Sequence, residues 1–394
     1  MKTIVKVFPF ILVVVFLSQC EKEPDHINIP DGNFLKALIN LGIDTDGDGK
    51  ISQEEAETVS VLNVSFRGIS DMKGIEAFVN LDTLYCDKNN LTSLDISNIV
   101  NLKSLICWDN QLTSLDVSKN TALGYLDCHE NQLCNLNISQ NIALKYLYCF
   151  NNQLTSLDVS NNTTLEHLSC YLNELTNLDV SKNIALERLT CGNNQISNLN
   201  VSRNILLESL YCGFNELTQL DIYNNTKLTV LLCEYNHLSN LDVSNNKALT
   251  ILQCIQNQLT SLDISDNTVL TDLNCQSNFL TSLDISNNTA LYRLNCNSNK
   301  LTILDVSKNT ALNLLHCGSN QLTTLDISNT TSLGSDNPSC YLSLHDMPTL
   351  HEVCVWTLPF PPGVWYVDTT GSPNVYFTTD CSKQNAILGN SNYK

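Results

Sequence analysis

NQLTSLDVSKNTALGYLDC, residues 110–128, returns 21 positions later as NQLCNLNISQNIALKYLYC, residues 131–149. A cysteine closes each copy. The spacing holds across the chain: Cys86, Cys107, Cys128, Cys149, Cys170, Cys191, Cys212, Cys233, Cys254, Cys275, Cys296 and Cys317 stand 21 apart without a slip. A fixed period of this length marks a stacked array, which forms one continuous body whatever its length.

With Leu102 as position 1, the unit reads LxxLxCxxNxLxxLDVSxNxx. Apolar residues fall at positions 1, 4, 6, 11, 14 and 16. Position 9 is Asn in all twelve units, from Asn89 to Asn320, and position 15 is Asp in ten and Asn in two, Asn137 and Asn200. LxC and LDV are short runs of period two, which predict two brief extended segments per unit, separated by Asn-containing turns. Twenty-one residues leave no room for a helix on the back of a coil. One coil cannot bury six apolar groups alone, but neighbours stacked at ~4.8 Å give each group a partner above and below. Twelve coils then span roughly 55–60 Å. Each buried Leu or Val contributes about 1.5–3 kcal/mol. The position 9 Asn is expected to point inward and bond the loop backbone as a ladder.

This unit resembles the leucine-rich repeat family, in its short bacterial 21-residue class, over about residues 60–330. The resemblance implies a mainly β solenoid of 12 to 13 in-register coils that recognises ligands on its strand side. Position 6 usually carries an aliphatic residue in that family. Free cysteine behaves as a small buried hydrophobe, so an interior column of thiols fits. Disulfides along the column need Cβ atoms about 3.5–4.5 Å apart and would pinch the stack. A thiolate metal site needs convergent ligands, commonly closely spaced as CxxC, and no CxxC occurs. Cys340, Cys354 and Cys381 lie in the non-repeat tail and are candidates for one disulfide. Cys134 falls at a variable surface position.

A stacked array exposes apolar faces at both ends and needs caps. The expected organisation is a signal peptide over 1–20, a tether over 21–30, an N-terminal cap over 31–80, repeats over 81–331 and a C-terminal cap of strands and turns over 332–394. Within the first cap, 29–43 shows helical spacing at Phe34, Leu35, Leu38 and Ile39. DTDGDGKISQEE follows. Asp44, Asp46, Asp48, Lys50 through its carbonyl, Ser52 and Glu55 occupy the ligand positions of a calcium loop, with Gly49 at its sharp turn. The spacing resembles an EF-hand, standing alone and followed by a short helix over 53–58. The resemblance implies a structural Ca2+ clip of about 10⁻⁴–10⁻³ M affinity; an acidic turn that binds no metal is the other reading.

At the N-terminus, Lys2 and Lys6 precede VFPFILVVVFL (7–17). Eleven apolar residues fall short of the about 20 that span a bilayer, and a secretory signal is expected. LSQC resembles a bacterial lipobox with Gln19 in place of a small residue, and EKEPD resembles the export tag of surface lipoproteins in Bacteroidetes-type bacteria. These resemblances imply lipidation at Cys20 and an outer-membrane or cell-surface location, with membrane contact through the anchor alone. If Cys20 is not lipidated, the chain is secreted or periplasmic. Net charge is −19 over 394 residues, which disfavours nucleic acid as a partner. A monomer is expected.

Positions 3, 5, 7 and 8 flank the LxC run and vary freely. Trp108, Tyr125, Tyr146, Tyr148, Phe150, Tyr171, Tyr211 and Phe214 concentrate there in the first half of the array, with His129, His167, Arg188 and Tyr235 among them. Such a stripe fits the core of a binding patch for a protein or glycan. It also fits rings stacking on one another because strand surfaces favour aromatics. Seven scattered His, no Gly-rich phosphate loop and no HExxH give no support for catalysis. The expected role is non-catalytic recognition on the cell envelope, with a spacer or scaffold for other envelope proteins as the alternative.

Overall fold

The computed structural model describes residues 26–334, 341–361 and 366–381. Cys20 and Cys340 lie outside these described residues. The first element, α1 (Gly32–Asn40), puts Phe34, Ala37 and Leu38 into the core. Its N-cap, Asp31, accepts from the amides of Asn33 and Phe34, supplying two of the donors that a helix start leaves unpaired. The chain then passes through the acidic loop into α2 (Gln53–Glu57), which opens with a reciprocal capping box between Ser52 and Glu55.

Thereafter every coil contributes one short strand, three residues long in all but the last two, to a fifteen-stranded parallel sheet whose order follows the chain. The register is set by the position 4 leucines: Leu84 faces Leu105, Leu105 faces Leu126, and so on to Leu294 and Leu315. The protein is thus a mainly β, parallel solenoid with a 21-residue step and few helices. The stack continues past residue 331. The next steps lengthen, Leu315 to Leu342 and Leu342 to Val367, and Leu342–Ser343 and Val367–Asp368 carry on the sheet. A disulfide joins Cys354 to Cys381 in these last coils.

Two extended segments per coil were expected, and only the LxC run forms a ladder along the regular array. The LDV run is drawn into turns by its own polar residue. Asp116 Oδ1 accepts from the Ser118 amide at 2.9 Å, and the Asn120 and Leu123 amides close two successive tight turns at 3.0 Å each. Only at the C-terminal end, where coils are longer, does a second parallel ladder form, through Thr324–Asp326, Glu352–Cys354 and Tyr376–Thr378.

All six apolar positions point inward. In the coil starting at Leu102, five of the six residues are fully buried and Leu115 is 7% exposed. The twelve cysteines are buried, and none is in a disulfide. Burial pushes the Cys191, Cys275 and Cys317 thiols up to about 12, so they stay protonated and unreactive at neutral pH.

Position 9 forms the expected asparagine ladder. Asn110 Nδ2 donates to the carbonyls of Cys86 and Cys107, at 3.1 Å each, and its Oδ1 accepts from the Leu91 amide at 3.0 Å. Each Asn therefore ties its own coil to the preceding one. A second buried column runs through position 19, from Asn120 to Asn309. Asn120 Nδ2 donates to the carbonyls of Ile96 and Ile99 at 3.0 and 2.8 Å, while Oδ1 has no hydrogen-bond partner among the described residues. Position 8 adopts the left-handed conformation in every regular coil, with φ near +50° at Lys88, Asp109, Leu172 and Gln256 alike. None of these is glycine, so each accepts about 1–2 kcal/mol of strain, offset by the Asn bonds on the next residue.

Candidate functional site

Parallel pairing in strict register turns the variable positions into columns along the outer strand face. Position 7 carries Trp108, His129, Phe150 and Tyr171. These four rings stack nearly parallel, with centroids 4.8, 4.0 and 4.4 Å apart and interplanar angles of 10°, 15° and 13°. Lys88 closes the near end, its Nζ 4.7 Å from the ring centroids of both Phe66 and Trp108, a cation–π contact. His129 is held from the side by Asp127, which pairs with its Nδ1. The inner rings of the column thus spend their faces on each other. Beyond Tyr171 the column meets Gly192 and Gly213, and the Glu234 carboxyl group folds over Gly213, filling the space a Cβ would need there.

Positions 3 and 5 hold a second cluster. Tyr125 lies 5.9 Å from Tyr146 and 5.6 Å from Tyr148. The Tyr146 hydroxyl donates to Glu166 at 3.0 Å, and Lys145 binds the same carboxylate at 2.7 Å. Tyr146 also meets His167 edge-on at 5.0 Å. Burial and the nearby Arg188 guanidinium hold His167 below the usual histidine range, so it is neutral at pH 7. Phe214 and Tyr235, both at position 8, form a separate exposed pair at 4.2 Å. Tyr211 meets no other ring among the described residues.

Between these groups lies a cavity of about 500 Å³, within the range of small-ligand sites. Its floor is Ser169 and Thr190 at position 5. Tyr148 and Tyr211, the preceding and following residues of that column, form its ends. His167, Arg188 and Ser209 stand along one side, and Phe150 and Tyr171 along the other. The candidates Tyr148, Phe150, Tyr171 and Tyr211 are brought together here. Trp108, Tyr125, Tyr146 and Phe214 are not part of this lining. The small residues of the floor went unread in the sequence; the signal was two consecutive small residues at position 5 between tyrosines.

In the acidic loop, Asp44, Asp46 and Asp48 each bring a carboxylate oxygen within 4.8 Å of the others. Glu55 is outside that group. Its Oε1 accepts from the Thr45 amide and hydroxyl, and its Oε2 from the Ser52 amide and hydroxyl. Asp44 binds the amides of Gly47 and Gly49. The three Asp fit a hard cation by donor chemistry, and Glu55 ties the loop to the start of α2 through these four bonds.

The solved functional domain of InlJ from Listeria monocytogenes is 37% identical, with a TM-score of 0.73 over 84% of this chain and 77% of that domain. The chain belongs to the internalin type of leucine-rich repeat proteins. That Listeria domain includes a cysteine ladder, as does this internalin-type chain from Cys86 to Cys317. Among curated proteins, Internalin J of Listeria monocytogenes serotype 4b is 39% identical over 68 residues, which is 17% of this chain and only 7% of that protein. The fold is shared with the leucine-rich repeat protein LIC12759 of Leptospira interrogans, at 24% identity and a TM-score of 0.68 over 86% of this chain and 84% of that one. No protein-family model matches the chain. No helix among the described residues is long and apolar enough to cross a membrane.

Proposed function

We propose that this internalin-type chain is a non-catalytic recognition module of the cell envelope that holds a protein or glycan on its strand face, between Trp108 and Tyr235. One observation carries the reading: a ring-walled cavity opens in the middle of a face whose supporting frame repeats coil after coil while its outward residues do not. Exposed aromatics and an arginine around a cavity are what binding hot spots are made of. Among solved structures of the same fold is the Arabidopsis receptor kinase HAESA in complex with a peptide hormone and a co-receptor, which is in keeping with a protein-binding use of such arrays.

Cys20 is the proposed lipid anchor, and Asp44, Asp46 and Asp48 a proposed calcium-binding group that stiffens the N-terminal cap. The recognition reading is tested with the Tyr146→Ala, Tyr148→Ala double variant. It keeps the wild-type circular dichroism spectrum and loses capture on an array of extracellular proteins and polysaccharides. A variant that captures the same partners as the wild type would leave the array as a spacer.

A further inference from the structure

We propose that the cavity between Tyr148 and Tyr211 is a subsite for a carboxylated sugar residue, the acid group held by Arg188; the proposal deepens the recognition reading and rests on it. The dimensions come from register. Tyr148 and Tyr211 are three strands apart in one column, about 14 Å at ~4.8 Å per strand. That length takes one sugar ring with part of its neighbours.

The polar groups inside define the occupant. Ser169, Thr190, Ser209, Tyr171 and Tyr211 line the cavity. None of their side-chain hydroxyls is hydrogen-bonded to a described residue. Five such groups in one small space, each able to donate and accept, match a polyol better than a peptide side chain, which would satisfy one or two. Tyr211 has both ring faces free of other rings and is exposed at the cavity end. It presents an open face to the C–H side of a pyranose, whereas the Tyr171 ring has one of its faces stacked on Phe150.

Arg188 decides the charge. It stands in the cavity lining and forms no ion pair with a described residue. Carboxylates are nearby, but Glu166 is engaged with Lys145 and Tyr146, and Glu187 and Glu208 stand outside the cavity lining. A guanidinium free to bind a planar anion by two parallel bonds selects a carboxylate. The net charge of −19 opposes a polyanion that must make many contacts. It opposes a single acid group much less, because charges beyond a screening length of about 8 Å are largely out of reach.

The test is calorimetric titration of the full chain with a hyaluronan tetrasaccharide, with 3′-sialyllactose, with neutral lactose and with a Glu-containing tetrapeptide. At least one acidic sugar is expected to bind ten times or more tighter than lactose, and which one does so separates uronate from nonulosonate sources. Arg188→Gln removes that advantage without changing lactose binding. Tyr211→Ala weakens all sugars at least fivefold, and Tyr211→Phe weakens them less than twofold. Circular dichroism reports that each variant is folded. Equal binding of lactose and the acids, or an Arg188→Gln protein with its preference intact, overturns the proposal. Tetrapeptide binding as tight as the sugars also overturns it, in favour of an acidic peptide. If the Tyr146/Tyr148 double variant loses its array partners while Arg188→Gln keeps them and no acidic sugar binds, the recognition reading stands and this subsite does not.

Discussion

The side-chain nitrogen of Asn110 lies 3.1 Å from the carbonyl oxygen of Cys86, a residue of the preceding coil. The same nitrogen reaches Cys107 in its own coil, and the oxygen at the other end of the amide takes the Leu91 amide proton. One side chain thus satisfies three buried backbone groups across two coils, and the pattern repeats at Asn131, Asn152 and onward.

Replacing such an Asn with Ala leaves those backbone groups unpaired away from water. Asn152→Ala is expected to cost about 1–3 kcal/mol, read as a lower urea midpoint. Because only adjacent coils share the bonds, hydrogen exchange should speed up locally around residues 128–154 before it does at the array ends.

Position 8 offers a change in the opposite direction. Leu172 has φ +54° and an exposed side chain. Leu172→Gly removes left-handed strain of about 1–2 kcal/mol and adds about 0.5–1 kcal/mol of unfolded-state entropy. The expected net is a stabilisation of about 0.5–1 kcal/mol, seen as a raised thermal midpoint.

The N-terminal cap is pH-sensitive through Asp31. Its Oδ1 caps α1, and its Oδ2 accepts from the Ser70 amide and hydroxyl and the Asp71 amide at 2.8, 2.8 and 3.1 Å. Burial raises its pKa, but these bonds from Ser70, Phe34 and Asp71 outweigh it and hold the carboxyl below its ordinary 3.8. A folded-state value below the unfolded one means that the stabilisation is complete above about pH 4 and fades as pH falls through the folded value. Protease cleavage within residues 41–60 should increase on acidification below about pH 4. In Asp31→Ala, which lacks about 1–3 kcal/mol at neutral pH, that part of the acid response disappears.

Calcium is expected to act on the same cap. Millimolar Ca2+ should raise the thermal midpoint of the full chain, and a chelator should reverse it. The Asp44→Asn, Asp46→Asn variant should show neither effect. Equal midpoints with and without Ca2+ in the wild type would leave the loop as an acidic turn.

The interior was legible because burial imposes a period. Leu105, Cys107, Leu112 and Val117 recur at spacings that admit one inward set, and Asn110 is the one polar residue the frame never varies. The position 19 column was missed because Asn120 and its repeats sit among Ser, Lys and Thr and read as ordinary turn residues; nothing local says that this amide faces inward. The left-handed backbone at Lys88 or Leu172 was hidden because neither is glycine. The stack from Trp108 to Tyr171 was visible as a stripe, with rings stacking on one another as one of its two readings, but not which rings would meet. That depends on register between coils, which no single repeat contains. The cavity escaped for a related reason: Ser169 and Thr190 matter through what they fail to fill.

The central claim is that twelve sulfurs form one dry interior column. Native protein treated with a water-soluble alkylating reagent, then digested and mapped by mass spectrometry, tests it most directly. The exposed thiol of Cys134 should be labelled within minutes, while Cys86 through Cys317 stay unlabelled until denaturant is added. Labelling along the ladder at the rate of Cys134 in the folded protein would contradict the account.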